Sequence, residues 1–124
     1  MPSVQEIYES PQPIVGKSFL VQGLLLGKGF NNQYIADSPE GYARKIALPI
    51  LSGSLFERLF ESGVSPIGGG RFSFFYKAVV QGEIGLADRG EYKYGLVQIS
   101  SLVVFFENRE ITVIPAAETN RSVP

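Results

Sequence analysis

The chain has 124 residues with 44% hydrophobic and 19% charged side chains, and 11 basic against 12 acidic residues give a net charge of −1. These values are typical of a soluble protein of one domain, and the balance excludes a general electrostatic attraction for polyanions. The absence of His and Cys excludes Cys/His zinc sites, Cys nucleophiles and His general bases, so no metal or cofactor is expected.

The chain ends and apolar runs indicate its organisation and location. We expect a single domain over residues 1–115 and a disordered tail over residues 116–124. The N-terminal stretch MPSVQEIYESPQP has acidic residues and no basic leader before an apolar run, so it is not typical of a secretory signal. Without cysteines for disulfides, a cytoplasmic location is favoured. No window approaches roughly 18 consecutive apolar residues, so no membrane association is expected.

The first predicted elements are a short helix and a long strand. Ser3-Val-Gln-Glu6 has the pattern of a capping box, which predicts a helix that ends before Pro11. Residues 17–26 are rich in strand formers and predict strand one, and Gly23 near its middle indicates a bulge or a bend. Gly16-Lys17-Ser18 is a fragment of a phosphate-binding loop, but the position of that motif's first glycine is occupied by Pro11. The fragment is therefore interpreted as a turn into a strand.

Two further strands and a second helix follow in the middle of the chain. Residues 33–37 predict strand two, a turn is predicted over residues 38–41, and residues 44–51 predict strand three. Pro49 indicates that strand three has an edge facing solvent or a poorly closed seam. Ser54-Leu-Phe-Glu57 repeats the capping-box pattern, and apolar residues at i, i+4 spacing predict a helix that ends at Gly63.

The second half of the chain predicts three more strands. Apolar and polar residues alternate over residues 71–84, which predicts strand four, and Phe75 and Val79 are apolar exceptions on its polar face. Residues 94–106 predict strand five, and a turn over residues 107–110 leads to a short sixth strand. We expect one core to contain residues of strand one, the second helix and strand four: Val21, Leu55, Leu59, Phe72, Phe74, Tyr76 and Val80.

The order of three strands, a helix and two strands, with a long first strand, resembles the OB-fold. The segment IVGKSFLVQGLLLG followed by QYIADS is similar to the start of OB domains of the anticodon-binding type, and the resemblance covers residues 14–106. It implies a mostly β protein: a small five-stranded Greek-key barrel with one helix between strands three and four and a short N-terminal helix. SH3-like and other small barrels remain alternatives.

The resemblance also implies a binding surface. In OB-folds strands two and three, with the loops between strands one and two and between strands four and five, bind oligonucleotides or oligosaccharides. Aromatic rings that stack on bases and cations that contact phosphates hold single-stranded nucleic acid. Acidic residues interspersed among these cations keep the charge of the surface low. The residues that the resemblance places on this surface are Lys28, Phe30, Asn31, Tyr34, Tyr42, Arg44, Lys45, Arg89, Tyr92 and Lys93.

Three classes of function are compatible with the sequence. They are a nucleic-acid-binding module, a protein-interaction or assembly module of the same fold, and an enzyme. Phe75, Val79 and the apolar run over residues 103–106 motivate the second class, with a protein partner or a homo-oligomer. No pairing of a nucleophile with a general base is recognisable, so catalysis is not expected. The sequence therefore favours a non-enzymatic module that binds single-stranded DNA or RNA.

Overall fold

In the computed structural model the chain consists mainly of β-strands, which confirms the mostly β class predicted from the sequence. The structure describes residues 1–28, 32–51, 55–64, 72, 74–87 and 90–115, and this part of the chain contains three helices and six strands. The tail predicted over residues 116–124 lies outside the described residues.

Helix α1 (Val4–Tyr8) begins where the capping box predicts it. The Ser3 hydroxyl accepts a hydrogen bond from the Glu6 amide at 3.1 Å, and the Glu6 carboxylate accepts one from the Ser3 amide at 2.8 Å. The Asp37 carboxylate accepts two more, at 2.9 Å each, from the amides of the first two helical residues. Because the first four amides of a helix lack partners within it, Asp37 both caps α1 and attaches it to the rest of the chain.

Strand β1 (Ser18–Gly27) pairs along its whole length with strand β4 (Phe74–Leu86). A strand rather than a helix therefore follows Gly16-Lys17-Ser18, which confirms the interpretation of this fragment as a turn into a strand. The register with β4 runs unbroken through Gly23, so the prediction of a bulge at this position is wrong. A Cβ at Gly23 would lie 2.7 Å from the Ala36 carbonyl oxygen, and glycine is needed because the neighbouring chain approaches so closely.

Strand β2 (Gln33–Ala36) pairs antiparallel with β1, and strand β3 (Ala47–Pro49) pairs antiparallel with β2. Strand three is shorter than predicted, because the chain before Ala47 is helix and turn. Pro49 lies in an edge strand of the sheet, as the sequence indicates, but it is buried and does not face solvent.

Helix α2 (Pro39–Ala43) connects β2 to β3, so the turn predicted over residues 38–41 is wrong. The Ser38 hydroxyl accepts a hydrogen bond from the Gly41 amide at 3.0 Å. Pro39 occupies the first helical position, where its fixed φ suits a helix and its missing N–H is not needed. The Ser38-Pro39 pair is thus the start of a helix and not of a turn.

Helix α3 (Leu55–Glu61) lies between β3 and β4, as predicted, and buries Leu55 and Leu59. Gly63 follows it with a φ of +92°, in the left-handed region that glycine adopts without strain. This conformation ends the helix at the position that the sequence indicates.

Strands β5 (Tyr94–Phe106) and β6 (Arg109–Ile114) form a hairpin with a two-residue turn. Glu107 and Asn108 have φ values of 52° and 63°, as the two central residues of a type I′ turn do. Because the turn is this short, β6 begins at Arg109, two residues before the start of the predicted sixth strand.

Antiparallel ladders join the six strands in the order β3-β2-β1-β4-β5-β6, and these ladders leave β3 and β6 at the two edges of the sheet. Beyond β3, Ile50 forms a parallel bridge with Leu96 of β5, and the Leu51 amide donates to the Leu96 carbonyl oxygen at 2.8 Å. The first half of β5 thus neighbours the end of β3, whereas its second half pairs with β6.

The Tyr8 hydroxyl of α1 lies at this junction of β3 and β5. It donates a hydrogen bond to the Ala47 carbonyl oxygen at 2.6 Å and accepts one from the Tyr94 amide at 3.3 Å. The rings of Tyr8 and Tyr94 meet edge to face, with centroids 5.3 Å apart. Burial raises the pKa of Tyr8, and its backbone hydrogen bonds offset only part of this effect.

The main core joins α1, α3 and one face of the sheet. As predicted, it contains Val21, Leu55, Leu59, Phe74 and Val80, with Tyr76 partly buried against it. The exception is Phe72, which is buried in a second, smaller cluster. The other buried leucine and isoleucine side chains of the main core are Ile7, Ile14, Leu25, Ile35, Leu48, Ile50, Ile84, Leu96 and Leu102.

Candidate functional site

The second cluster lies on the face of β1, β2 and β3 that points away from the main core. Successive residues of a strand point to opposite faces, so Ile35 enters the main core while Tyr34 and Ala36 on either side of it enter the second cluster. In the same way Leu26 and Ala47 belong to the second cluster. Phe72, Tyr92 and the partly buried Tyr42 complete it from the connecting segments.

Four aromatic rings pack against one another here, and we call Tyr34, Tyr42, Phe72 and Tyr92 the aromatic face. The Tyr34 ring centroid lies 5.0 Å from that of Tyr42 and 5.2 Å from that of Tyr92. Tyr42 meets Phe72 edge to face at 5.5 Å and stacks with Tyr92 at 6.2 Å. These separations fall within the range of favourable aromatic pairs, so the rings support one another.

Exposure differs within the aromatic face. Tyr34, Phe72 and Tyr92 are buried, with exposed fractions of only 8%, 7% and 7%, whereas Tyr42 is half-buried. Burial raises the pKa of Tyr92, and its hydrogen bond and Coulombic interaction with Tyr42 raise it further. Tyr34, Phe72 and Tyr92 are therefore packed supports, and Tyr42 is the ring of the four with accessible surface.

Helix α2 places Tyr42 on this face and Arg44 and Lys45 just after it. Arg44 ends the helix and donates its amide to the Glu40 carbonyl oxygen at 3.0 Å. Lys45 has a φ of 67°, a left-handed conformation that turns the chain from the helix into β3. Tyr42, Arg44 and Lys45 thus come from α2 and its final turn, and not from strand three as predicted.

The four described cations of the predicted surface, Lys28, Arg44, Lys45 and Lys93, are accessible, and two of them are paired. The Lys45 ammonium lies 3.3 Å from the Glu91 carboxylate and 5.2 Å from the centre of the Tyr92 ring. Arg44 lies 3.6 Å from Glu40, with about 70% of both side chains exposed. Ion pairs this exposed contribute little stability, so a phosphate can replace the carboxylate at small cost.

Lys28 and Lys93 are exposed at the ends of the two loops of the predicted surface. The Lys28 amide donates to the Asn32 carbonyl oxygen at 2.7 Å, and the Ala87 amide donates to the Lys93 carbonyl oxygen at 3.2 Å. The Lys93 ammonium lies 5.2 Å from the centre of the Tyr94 ring. The tips of both loops, with Phe30, Asn31 and Arg89, lie outside the described residues.

The structure thus brings Tyr34, Tyr42, Tyr92 and Lys45 of the predicted surface into contact. It adds Phe72, which the sequence assigned to the main core. The alternation of strand four did place Phe72 on the same side as Phe74, but Phe72 precedes the strand and is not bound by that period. No signal in the sequence distinguishes the two clusters.

The predicted interface residues lie on the outward side of β4. Phe75 is 41% exposed, and its ring centroid lies 5.9 Å from that of Phe72, so it borders the aromatic face. Val79 is half-buried. Both positions are therefore on the side of β4 opposite the buried Phe74, Ala78 and Val80.

Comparison with known proteins found no matching family model, no matching curated protein and no matching solved structure. In the part of the chain that the structure describes, no group of three or more metal-ligating side chains could hold a metal ion. None of the three described helices is long and apolar enough to cross a membrane. The contacts within this chain are therefore the basis for assigning a function.

Proposed function

We propose that this protein is a non-enzymatic binding module that holds single-stranded DNA or RNA on the aromatic face. The observation that supports this proposal is the convergence of rings and cations from β2, α2 and the segment before β5 on the sheet surface opposite the main core. Strand β2 and the following helix α2 supply Tyr34 and Tyr42, and a loop distant from both in the chain supplies Tyr92 to the same contact cluster.

We also propose that the fold is OB-like. The pairing of β1 with both β2 and β4, and the position of α3 between β3 and β4, support this. The parallel bridge between Ile50 and Leu96 adds a contact that would join β3 to β5 and complete a ring of five strands. OB-folds are partly open barrels, and their strands two and three correspond to the surface that carries the aromatic face.

The division of roles follows from exposure. Tyr42 stacks on a base, while Tyr34, Phe72 and Tyr92 hold it in position. Lys28, Arg44, Lys45 and Lys93 contact phosphates, and the resemblance adds Phe30, Asn31 and Arg89, which lie outside the described residues, as further contacts to nucleic acid. With three or four phosphate contacts, the slope of log affinity against log salt concentration is about −2 to −3, at roughly 0.7 per contact on single strands.

The experiment is fluorescence anisotropy with labelled mixed-sequence oligonucleotides at several salt concentrations. Tyr42→Leu keeps an apolar side chain but removes the ring, so we expect it to weaken binding by about 1 to 3 kcal/mol with the salt slope unchanged. Lys93→Ala should reduce the slope by about one contact. Lys17→Ala is the matched control, because Lys17 is exposed just before β1, outside the proposed surface.

Two results would contradict the proposal. One is the absence of binding at tens of micromolar protein and low salt, where electrostatic attraction is least screened. The other is an equal effect of Lys17→Ala and Lys93→Ala, which would indicate a non-specific attraction. Thermal unfolding of each variant shows whether a loss of binding reflects a loss of folded protein.

A second candidate function is protein assembly, which Phe75 and Val79 favour. Exposed apolar residues on a sheet surface often mark contacts with a partner. Either another protein or a second copy of this chain fits such a surface. This function uses the outward side of β4 and leaves the aromatic face available for nucleic acid.

A further inference from the structure

Strands β4, β5 and β6 present a surface on the side away from the main core. In the ladders, Lys77 of β4 lies beside Phe105 of β5, and Phe105 lies beside Glu110 of β6. Two residues further along the strands, Val79, Val103 and Thr112 form a second row in the same way. Residues two apart in a strand share a face, so we call these six residues the β4–β6 face.

The two charges of this face have no partner within the described part of the chain. Lys77 and Glu110 are exposed and lie two strand spacings apart, about 10 Å, with Phe105 between them. Phe105 is 36% exposed. A surface depression of about 680 Å³ is lined by Lys77 and Phe105, by Arg109 and Glu110 of β6, and by the two residues of the β5–β6 turn. A cation, an aromatic ring and an anion thus stand in line across three strands.

This arrangement is complementary to itself under a two-fold rotation. An axis parallel to β5 and lying in the plane of contact places β4 of one copy over β6 of the other, and β5 over β5. Phe105 then meets Phe105, and Val103 meets Val103, along the axis. Lys77 of each copy meets Glu110 of the other, so two ion pairs of opposite orientation flank the apolar contact. A two-fold interface requires such self-complementarity.

We propose that a second copy of this chain binds the β4–β6 face through this two-fold contact. Packed sheets are usually rotated by about 30°, and the long side chains of Lys77 and Glu110 can follow this rotation. Phe75 lies at the margin of the contact, next to the aromatic face, so the dimer leaves Tyr42 accessible. The inference rests on the proposed assembly function and names its partner.

The size of the face predicts the strength of the dimer. Strand β6 has six residues, which span about 20 Å, and three strands span about 15 Å. The contact therefore covers roughly 300 Å² per copy, well below the approximately 800 Å² per partner of a standard stable interface. We expect a weak dimer whose population depends on concentration.

Charge exchange tests this geometry. Lys77→Glu and Glu110→Lys each bring like charges together at both ends of the contact, so each should raise the dimer dissociation constant about tenfold or more. The double variant K77E/E110K restores opposite charges and should return the constant to within about threefold of the wild-type value. Sedimentation velocity and NMR diffusion measurements from about 10 μM to 1 mM give these constants.

The matched controls are Arg58→Glu and Glu61→Lys, which make the same charge changes at exposed positions of α3 and should leave dimerisation unchanged. A wild-type protein that remains monomeric at 1 mM overturns the inference. If a dimer forms but the double variant is no better than the single ones, this two-fold contact is wrong while assembly through another surface stands. Oligonucleotide binding by the same variants reports separately on the proposed nucleic-acid function.

Discussion

At the scale of single residues, Tyr8 connects three elements through one hydroxyl. Tyr8 is the last residue of helix α1, and its hydroxyl donates a hydrogen bond to the Ala47 carbonyl oxygen of β3 and accepts one from the Tyr94 amide of β5. Beyond that point the bridge between Ile50 and Leu96 continues the contact between the two strands. The hydroxyl therefore supplies hydrogen bonds where β3 and β5 are close but form no ladder.

Replacing Tyr8 by Phe tests this role. The change leaves the ring but deprives two part-buried backbone groups of their partner, so we expect the free energy of unfolding to fall by about 1 to 3 kcal/mol. Urea denaturation measures the loss. The matched control is Tyr94→Phe, because the Tyr94 hydroxyl makes no hydrogen bond within the described residues. Equal stability of the two variants would show that the Tyr8 hydroxyl contributes nothing specific.

The residues of the candidate site could be predicted only in part. Residue type and a strand period of two predict that Tyr34 lies on the outer face of β2. The resemblance predicts that the loops between strands one and two and between strands four and five belong to the same surface. The burial of Tyr34 and Tyr92 by each other and by Tyr42 could not be predicted, because it depends on contacts between segments far apart in the chain. The ion pair between Lys45 and Glu91 could not be predicted for the same reason.

At the scale of elements, the end of β2 fits closely against β1. Gly23 stands where the two strands separate, beside Ala36, and β1 continues from there with β4 as its neighbour on one side. A glycine in a strand can mark a bulge or a close approach of backbone, and the unbroken register with β4 together with the short distance to the Ala36 carbonyl oxygen distinguishes these roles. In this protein the close approach is the reason for Gly23.

A pair of substitutions to alanine measures this constraint. Gly23→Ala would place a Cβ 2.7 Å from a backbone oxygen, so β2 must shift, and we expect a loss of about 1 to 3 kcal/mol in the free energy of unfolding. At Gly41 in helix α2 the nearest atom would be the Ile46 carbonyl oxygen at 3.4 Å. Gly41→Ala should therefore cost nothing and can gain up to about 1 kcal/mol from helix propensity. Thermal melts that rank the variants in the reverse order would contradict this assignment.

The boundaries of most elements could be predicted from the sequence because local chemistry determines them. The capping box of α1, the glycine after α3 and the alternation of β4 act within a few residues. The sequence Ser38-Pro39-Glu40-Gly41 does not determine its own structure, because a serine followed by proline can begin either a turn or a helix. The shortening of β3 follows directly from the presence of α2.

At the scale of the whole molecule, one sheet carries two different outer surfaces. The aromatic face lies over β1, β2 and β3, and the β4–β6 face lies over the other half of the sheet. The order of strands within the sheet depends on which distant strands pair, and the periodicity of apolar residues along the chain does not reveal this pairing. The sequence predicts six strands in chain order, but it does not predict which of them are neighbours in the sheet.

Alkaline pH should lower the stability of the whole molecule. Burial raises the pKa values of Tyr8, Tyr76 and Tyr92 above the ordinary value of 10.0. The unfolded chain therefore loses these protons at a lower pH than the folded protein does. By linkage, the contribution of these tyrosines to the free energy of unfolding is complete below pH 10 and decreases as the pH rises further.

Urea midpoints between pH 8 and pH 11 should show this decrease, and Tyr8→Phe should make it less steep. Absorbance at 295 nm of the native protein follows the ionisation of its 6 tyrosines directly. We expect some of them to ionise late, together with unfolding. Ionisation of all of them in a single reversible step near pH 10 would contradict the prediction.

The hydrogen bonds of Tyr8 also bear on the order in which the protein folds. A five-residue helix such as α1 has too few internal hydrogen bonds to form alone. Its capping partner Asp37, and the Ala47 and Tyr94 groups that Tyr8 contacts, are contributed by later parts of the chain. During synthesis on a ribosome, α1 is made before these partners and cannot complete its contacts until β5 has emerged. A helix that precedes its partners in the chain is thus among the last elements to reach its final structure.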